Sequence, residues 1–168
     1  MMAQALPKLA LRPMLPTDSP LLAEVFRAAI EELTIDDYSP SQQEAWASAA
    51  NDEDAFGAKL SGELTLVATF GGAPIGFASL ANNVRIDMLY VHPAAAGQGA
   101  GAMLCDALEK LAAARGAKEL TVDASDAAIG FFEKRGYSAK SRNTVTAGGE
   151  WLANTTMIKP LAGKESTS

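Results

Sequence analysis

The stretch with the strongest chemical signature runs from Met88 to Leu104, MLYVHPAAAGQGAGAML. An apolar strand leads into Gly97-Gln98-Gly99-Ala100-Gly101, and a helical pattern begins on top of the glycines. Glycines let the backbone approach a ligand closely, and free N–H groups at a helix N-terminus favour the negative charge of a diphosphate. The same cluster is also what a tight strand-to-helix connection needs with nothing bound. Gly97-x-Gly99-x-x-Ala102 matches the dinucleotide fingerprint in form, and Asp123 stands roughly twenty residues beyond it, where such sites carry an acidic residue. That fingerprint opens directly at a strand end, however, whereas His92-Pro93-Ala94-Ala95-Ala96 intervene here. It also requires further βαβ units, for which little chain remains after Asp123. A dinucleotide-dependent oxidoreductase is therefore the weaker of the diphosphate readings.

Other reactive side chains are few. His92 is the only histidine, precedes a proline and has no orienting partner in sequence view, which suits a strand-end structural residue. Cys105 sits in an apolar-rich helix, where a small buried thiol is the default. With one Cys and one His, the chain has neither an internal disulfide nor the ligands of a structural zinc site. No metal is expected.

The elements that must carry the glycine loop follow from periodicity. LALR, residues 9–12, reads as an edge strand. Ser19-Pro20 reads as a helix start with Ser19 as cap, and Leu21, Leu22, Val25, Phe26, Ala29, Ile30 and Leu33 recur with helical spacing. Ser39-Pro40 repeats the device, with Gln42 completing a capping box, and that helix carries Trp46 to near Ala50. A third helix is expected from Asn51-Asp52 to about Leu60. Strands follow at Leu64–Phe70 and Pro74–Leu80 around a Gly71-Gly72 hairpin, then at Arg85–Val91. After the loop come a helix from about Gly99 to Arg115, a strand over Glu119–Asp123, a helix over Asp126–Arg135, and two strands joined at Gly148-Gly149. This order predicts one α+β domain over residues 1–160 with a mixed sheet, and a flexible tail over 161–168.

Composition bounds the function class. Fourteen Lys+Arg against twenty Asp+Glu give a formal charge of −6 and a pI near 4.8, with no basic cluster, so no nucleic-acid partner is expected. An apolar content of 48% excludes a disordered chain. No apolar run approaches a membrane span and MMAQALPKLA lacks a signal-peptide core, so a cytoplasmic protein with no membrane partner is expected.

The glycine stretch resembles motif A of the GNAT superfamily of N-acetyltransferases, in which an apolar strand and Pro precede Arg/Gln-x-x-Gly-x-Gly/Ala. Val91-His92-Pro93 followed by Gly97-x-Gly99-x-Gly101 matches most of it. Downstream, Ala128-Ile129-Gly130-Phe131-Phe132-Glu133-Lys134-Arg135-Gly136-Tyr137 is similar to the family's Ala-x-x-Phe-Tyr-Glu-Lys-x-Gly-Phe segment, and LRPMLPTD is similar to its first strand and helix entry. The resemblance implies a mostly antiparallel mixed sheet with helices on both faces and two central parallel strands that splay apart around acetyl-CoA. It implies that Leu89, Tyr90 and Val91 offer backbone groups to the pantetheine. Gly97, Gln98, Gly99, Ala100, Gly101 and Ala102 would cradle the pyrophosphate, and Ser125 and Phe132 would line the cofactor side. Two departures stand out. The family's Arg/Gln at the head of the loop is Ala96 here, and its common general-acid Tyr is Phe132.

The implied reaction is acetyl transfer from acetyl-CoA to a primary amine of a small molecule or peptide, by direct attack in a ternary complex. An alkyl ammonium titrates near ~10.4, so a base must take its proton. Asp87 is the first candidate: alternation puts Arg85, Asp87, Leu89 and Val91 on one strand face and Tyr90 on the other, and Asp87 could equally be an ion partner of Arg85. Glu31 or Glu32 on the first helix is the second candidate for the base; Glu31, Tyr38 and Trp46 are candidate acceptor-side residues, and Tyr137 falls at a core position. An acyl-CoA-binding module without chemistry is the alternative that Phe132 keeps open. The closing strands could pair with a second chain.

Overall fold

A computed structural model describes residues 8–161. Seven strands form one sheet: β1 (Leu9–Pro13), β2 (Leu64–Phe70), β3 (Ala73–Ala81), β4 (Arg85–Val91), β5 (Glu119–Ser125), β6 (Ser138–Ala147) and β7 (Glu150–Pro160). Their spatial order is β1-β2-β3-β4-β5-β7-β6, and every neighbouring pair is antiparallel except β4 with β5. The first three helices are α1 (Ser19–Leu33), α2 (Pro40–Ala47) and α3 (Glu53–Ser61). α4 (Ala100–Ala114) links the parallel strands, as a parallel pair requires, and α5 (Ile129–Lys134) follows β5. The α+β expectation with helices on both faces holds. The mostly antiparallel sheet and single parallel step overturn the dinucleotide alternative, because no second βαβ unit is present among the described residues to form its crevice.

Each face of the sheet buries its own apolar layer. α4 turns Leu104, Cys105, Leu108 and Ala112 onto Leu80, Ile86, Leu120, Val122 and Met157. On the opposite face the Leu22-Val25-Phe26-Ile30 stripe of α1 packs with Phe56 and Leu60 of α3 over Val67 and Phe77. Burying one such Leu or Phe side chain contributes about 1.5–3 kcal/mol. The two layers therefore clamp the central strands from both sides. No helix among the described residues is long and apolar enough to cross a membrane.

The capping box at Ser39 forms as its sequence specifies: Gln42 N donates to Ser39 Oγ (3.2 Å) and Ser39 N donates to Gln42 Oε1 (2.8 Å). Ser19 differs from expectation. It is the first helical residue of α1, and Asp18 holds the cap position without capping. Its carboxylate is taken by Arg12 (2.8 and 2.9 Å) and by the Leu15 N–H (2.7 Å), which ties β1 to the start of α1. Leu161, expected to begin the tail, instead donates its N–H to Lys118 O (2.8 Å) and packs on the core. Residues 162–168 of that expected tail lie outside the described residues.

Strict alternation fails on β4. The β3–β4 register passes from Ser79↔Met88 directly to Leu80↔Ile86, which leaves Asp87 as the extra residue of a β-bulge. The bulge reverses the strand's faces. Ile86 lies in the α4 layer with Leu89 and Val91, while Met88 and Tyr90 lie in the α1 layer. Asp87 therefore does not share a face with Leu89 and Val91, and Tyr90 is not on the face away from it. Both Asp87 and Tyr90 border one cavity.

The Arg12–Asp18 pair yields a stability prediction. The Arg12 hydrogen bond holds the Asp18 carboxyl below the usual carboxylate range, against burial, with help from the Leu15 N–H. A depressed carboxyl contributes stability that is complete above the unfolded value of ~3.9 and lost as pH falls through the lower folded value. Asp18→Asn should destabilise by about 2 kcal/mol at neutral pH, less than for a fully buried pair, since the Arg12 side chain is 32% exposed. In urea titrations the gap between parent and variant should narrow as pH drops below about 4.

Candidate active site

Hydrogen-bonded pairing between β4 and β5 covers only Arg85↔Thr121 and Ile86↔Val122; beyond it the strands part. The gap opens into two cavities of about 260 and 220 Å³. Both are bordered by Trp46, Leu89, Tyr90, Ser125, Ala128 and Phe132, so they meet at the fork. One extends towards Asp87, Asp123 and the β6–β7 hairpin. The other extends towards Val91, Gly101 and Phe131, at the glycine loop.

The gap edge of β4 has identifiable backbone groups. His92 N–H donates to Ile75 O (2.8 Å) on the β3 side. Backbone polar groups alternate in direction along a strand, so those of Tyr90 also point to β3, and those of Leu89 and Val91 point into the gap. Of the three residues expected to offer backbone, Leu89 and Val91 are placed to do so; Tyr90 meets the gap with its side chain. Its ring stacks edge-on with Phe26 (4.8 Å) and Trp46 (6.4 Å), and burial pushes its hydroxyl far above the ordinary tyrosine value, opposed by a hydrogen bond from Trp46. Tyr90 therefore keeps its proton.

The loop after β4 turns through Pro93–Ala95 before it reaches the glycines. His92 caps that turn, its Nδ1 accepting from Ala94 N–H (3.1 Å), which makes it structural. Gly97 and Gly99 have φ of +81° and +90°, and a Cβ built on either meets nothing within 4 Å: the space beside them is open. Gly99 is the N-cap of α4 with no side-chain cap, and its carbonyl accepts the Met103 N–H (3.0 Å). The N–H groups of Ala100, Gly101 and Ala102 precede that bond and have no helical acceptor. Gly101 lets α4 approach the Phe131 ring, which would lie 3.4 Å from an added Cβ. Gln98 and Ala96 are exposed at the same rim. Free N–H groups, left-handed glycines and open space form a cradle that fits a diphosphate.

Around the other cavity, Asp87 is held by two cations. Arg85 Nη1 lies 2.5 Å from Oδ1 and Lys59 Nζ 2.7 Å from Oδ2. Burial raises the Asp87 carboxyl, but the bonds and charges of Lys59 and Arg85 outweigh it, and the group sits below its ordinary range. Tyr38 borders the cavity with its hydroxyl committed, donating to Ala153 O (2.6 Å) and accepting from Asp126 N–H (2.9 Å). It thereby fastens the α1–α2 connection to β7 and to the end of β5. Ser125 and Phe132 border both cavities; Phe132 is 3% exposed and packs edge-on between Phe131 and Tyr137. Glu31 and Glu32 are exposed on α1 and border neither cavity. Cys105 is fully buried under α4, its thiol pushed up to about 11 by burial and by Glu109. Tyr137 is core, donating to Glu109 Oε2 (2.9 Å).

The wall supplied by Val145, Ala147, Leu152 and Asn154, and the position of Asp123, could not be read along the chain. They reach the cavity because β7 inserts between β5 and β6 and because the Gly148-Gly149 tip rests against α2, where an added Gly148 Cβ would lie 3.0 Å from Ala45 Cβ. Gln42 Nε2 fixes the same contact by donating to Trp151 O (2.8 Å).

Comparison with known proteins agrees with this arrangement. Residues 34–159 match the acetyltransferase (GNAT) domain family. An uncharacterised N-acetyltransferase of Escherichia coli K12, YafP, is 34% identical over 139 residues, covering 83% of this chain and 87% of its own. A Rhodopseudomonas palustris structure described as a GCN5-related N-acetyltransferase and class-II aminotransferase is 63% identical, with a TM-score of 0.90 over 96% of this chain and 99% of that one. The Thermoplasma acidophilum PaiA N-acetyltransferase, solved with coenzyme A, shares the fold at 20% identity and a TM-score of 0.74, covering 91% and 99% of the two chains. A forked parallel pair over a glycine cradle, reached on independent grounds by sequence and by shape, places this chain in the GNAT acetyltransferase family, whose acetyl donor is acetyl-CoA.

Proposed function

We propose that the protein transfers the acetyl group of acetyl-CoA to a primary amine by direct attack, with both substrates bound together. The observation that carries this reading is the meeting of the two cavities at the fork: a donor entering past the glycine loop and an acceptor entering past the hairpin would touch at Leu89, Tyr90 and Phe132. Bound acetyl-CoA supplies an activated acyl carbon and a thiolate leaving group. The N–H groups of Gln98 to Ala102 would hold its diphosphate, and Leu89 and Val91 would hydrogen-bond the pantetheine as a short strand does. The Leu89 N–H would donate to the carbonyl oxygen as charge develops there. Cys105, buried and protonated at neutral pH, offers no covalent route.

The missing hydroxyl at Phe132 is a modest loss for this chemistry. A thiol titrates near ~8.5, so its anion leaves without full protonation near neutrality. The protonated Tyr90 hydroxyl is the one tyrosine hydroxyl left for the fork, since those of Tyr38 and Tyr137 are engaged elsewhere. Asp87, gripped by Lys59 and Arg85, is better suited to holding the bulge than to removing a proton. The second reading, an acyl-CoA-binding module without turnover, rests on Phe132 alone.

Thermal shift with acetyl-CoA, CoA and NAD, joined to thiol release with a primary-amine panel, tests both readings. Acetyl-CoA at a hundred times its Kd should stabilise by ~2.7 kcal/mol, a rise of roughly 5–10 °C for this length, and NAD should do nothing. Binding without thiol release on any amine would favour the non-catalytic module, and no binding would remove both. Two variants address the cradle. Ala96→Arg should tighten CoA several-fold and steepen the salt dependence, because it restores a charge-assisted phosphate contact. Gly99→Val should weaken CoA by at least about tenfold, since a β-branched residue resists a φ of +90°; isothermal titration reads both.

A further inference from the structure

The fork places a second carboxylate in the acceptor cavity. Ile86↔Val122 is the last hydrogen-bonded pair of β4 and β5, so Asp87 and Asp123 are the next residues on either side of the divergence. Both border the same cavity. On β5, Leu120, Val122 and Ala124 are buried in the α4 layer, which turns Asp123 and Ser125 to the opposite face, the one the acceptor cavity occupies.

The two carboxylates differ in what already holds them. Asp87 is half-buried with a cation on each oxygen. Asp123 is exposed and pairs with no cation among the described residues. A chain of neutral donors aims it: Asn143 Nδ2 donates to Thr156 Oγ1 (2.7 Å), and Thr156 Oγ1 donates to Asp123 Oδ1 (2.7 Å). Asn143 also donates to Asn154 Oδ1 (2.9 Å), which fixes the neighbouring polar residue of the cavity. These residues are cross-strand partners, Asp123↔Thr156 and Asn143↔Asn154, so the chain follows from sheet register and is rigid. One oxygen is thereby tethered, and Oδ2 accepts no hydrogen bond among the described residues.

Apart from Ser125 and Asn154, the rest of the lining is largely apolar: Tyr38, Trp46, Val122, Val145 and Leu152 form the walls. Besides Asp123, Asp87 is the one charged residue bordering this cavity among the described residues, and its cations Lys59 and Arg85 are engaged by it; β6 and β7 contribute neutral Asn143, Asn154 and Thr156 around Asp123. A cavity of about 260 Å³ is below the roughly 300–1,000 Å³ of drug-sized sites.

We propose that Asp123, rather than Asp87, receives the acceptor's ammonium and takes its proton, and that the cavity selects a primary amine borne on a compact, uncharged apolar body. The inference rests on the acetyltransferase reading. In the step, one ammonium proton passes to Asp123 Oδ2 and on to solvent. The nitrogen lone pair forms the N–C bond, the C–S bond breaks with its pair on sulfur, and the second amine proton ends on the CoA thiol. Asp87 is a positioning residue that holds the bulge against Lys59 and Arg85. An acceptor carrying a carboxylate would find no unengaged cation in the cavity.

Thiol release from acetyl-CoA with benzylamine, 2-phenylethylamine, n-butylamine, glutamate and spermidine tests this in the parent, Asp123→Asn, Asp123→Glu and Asp87→Asn proteins. Asp123→Asn should lose about 10²–10⁴-fold in kcat/KM and keep the parent's Kd for acetyl-CoA. Asp123→Glu should recover part of the rate. Asp87→Asn should lower the melting temperature and lose less kcat/KM than Asp123→Asn. Benzylamine and 2-phenylethylamine should outperform glutamate and spermidine. A parent-like kcat/KM in Asp123→Asn, or a larger loss in Asp87→Asn than in Asp123→Asn, would overturn the assignment while leaving the transferase reading intact. Preference for glutamate or spermidine would overturn the acceptor class. A parent that binds acetyl-CoA but releases no thiol with any amine would remove the transferase reading and this inference with it.

Discussion

Everything about the site depends on β4 and β5 pairing for only two residue pairs and then parting. A sheet that lets two neighbouring strands diverge exposes backbone N–H and C=O groups that would otherwise satisfy one another, and an unpaired buried polar group is costly. That edge is tolerable when a ligand with amide groups of its own completes the ladder. The fold also holds the gap open from both sides. α4, anchored by Leu104, Leu108 and Ala112, fixes one face, and the α1–α3 layer fixes the other. Neither layer can slide to close the fork without opening a cavity in its own core, and interiors packed to crystal density resist that.

The bulge at Asp87 is the second consequence of the same geometry. By inserting one residue opposite β3, it turns Ile86 and Leu89 onto one face and Met88 and Tyr90 onto the other. A carboxylate at this position is half-buried, and its desolvation must be offset. Lys59 from α3 and Arg85 from the same strand do so. The interaction links the third helix to the fork, so an ion pair that would be worth little on an open surface here fixes the local shape of β4. It also sets Asp87 apart from Asp123: the first is paired with cations, the second accepts from a chain of neutral donors.

The cavity beside the hairpin is walled largely from the far end of the chain. β7 lies between β5 and β6, and the β6–β7 tip leans on α2 through Gly148 and the Gln42–Trp151 bond. Tyr38 locks the same corner to Ala153 and Asp126. The apolar walls thus come from three elements held by backbone-directed hydrogen bonds, and Val145 and Trp151 remain 41% and 65% exposed at the hairpin. The glycine loop needs no such assembly, being a local strand–turn–helix unit whose open space depends on two positive-φ glycines.

Local features of the chain were legible because they obey local physics. The Ser39 capping box, the Gly71-Gly72 and Gly148-Gly149 hairpins, the strand over Arg85–Val91 and the glycine cradle from Gly97 to Ala102 each follow from neighbouring residues and their allowed conformations. The ordered motifs around Val91-His92-Pro93 and Phe131-Phe132-Glu133 carried the family and, with it, the fork. What alternation along β4 could not deliver was the side on which Asp87 falls, since a bulge is set by the partner strand and by the cations of α3. Nor could periodicity bring Asp123 to the cavity it borders, because its tether to Thr156 and Asn143 exists only once β7 enters the sheet beside β5. The chain's own order specified which elements form and which loop can cradle a diphosphate. Tertiary structure alone decided which carboxylate is neutralised and which stands free, because that depends on cross-strand register and on charges brought from more than twenty residues away.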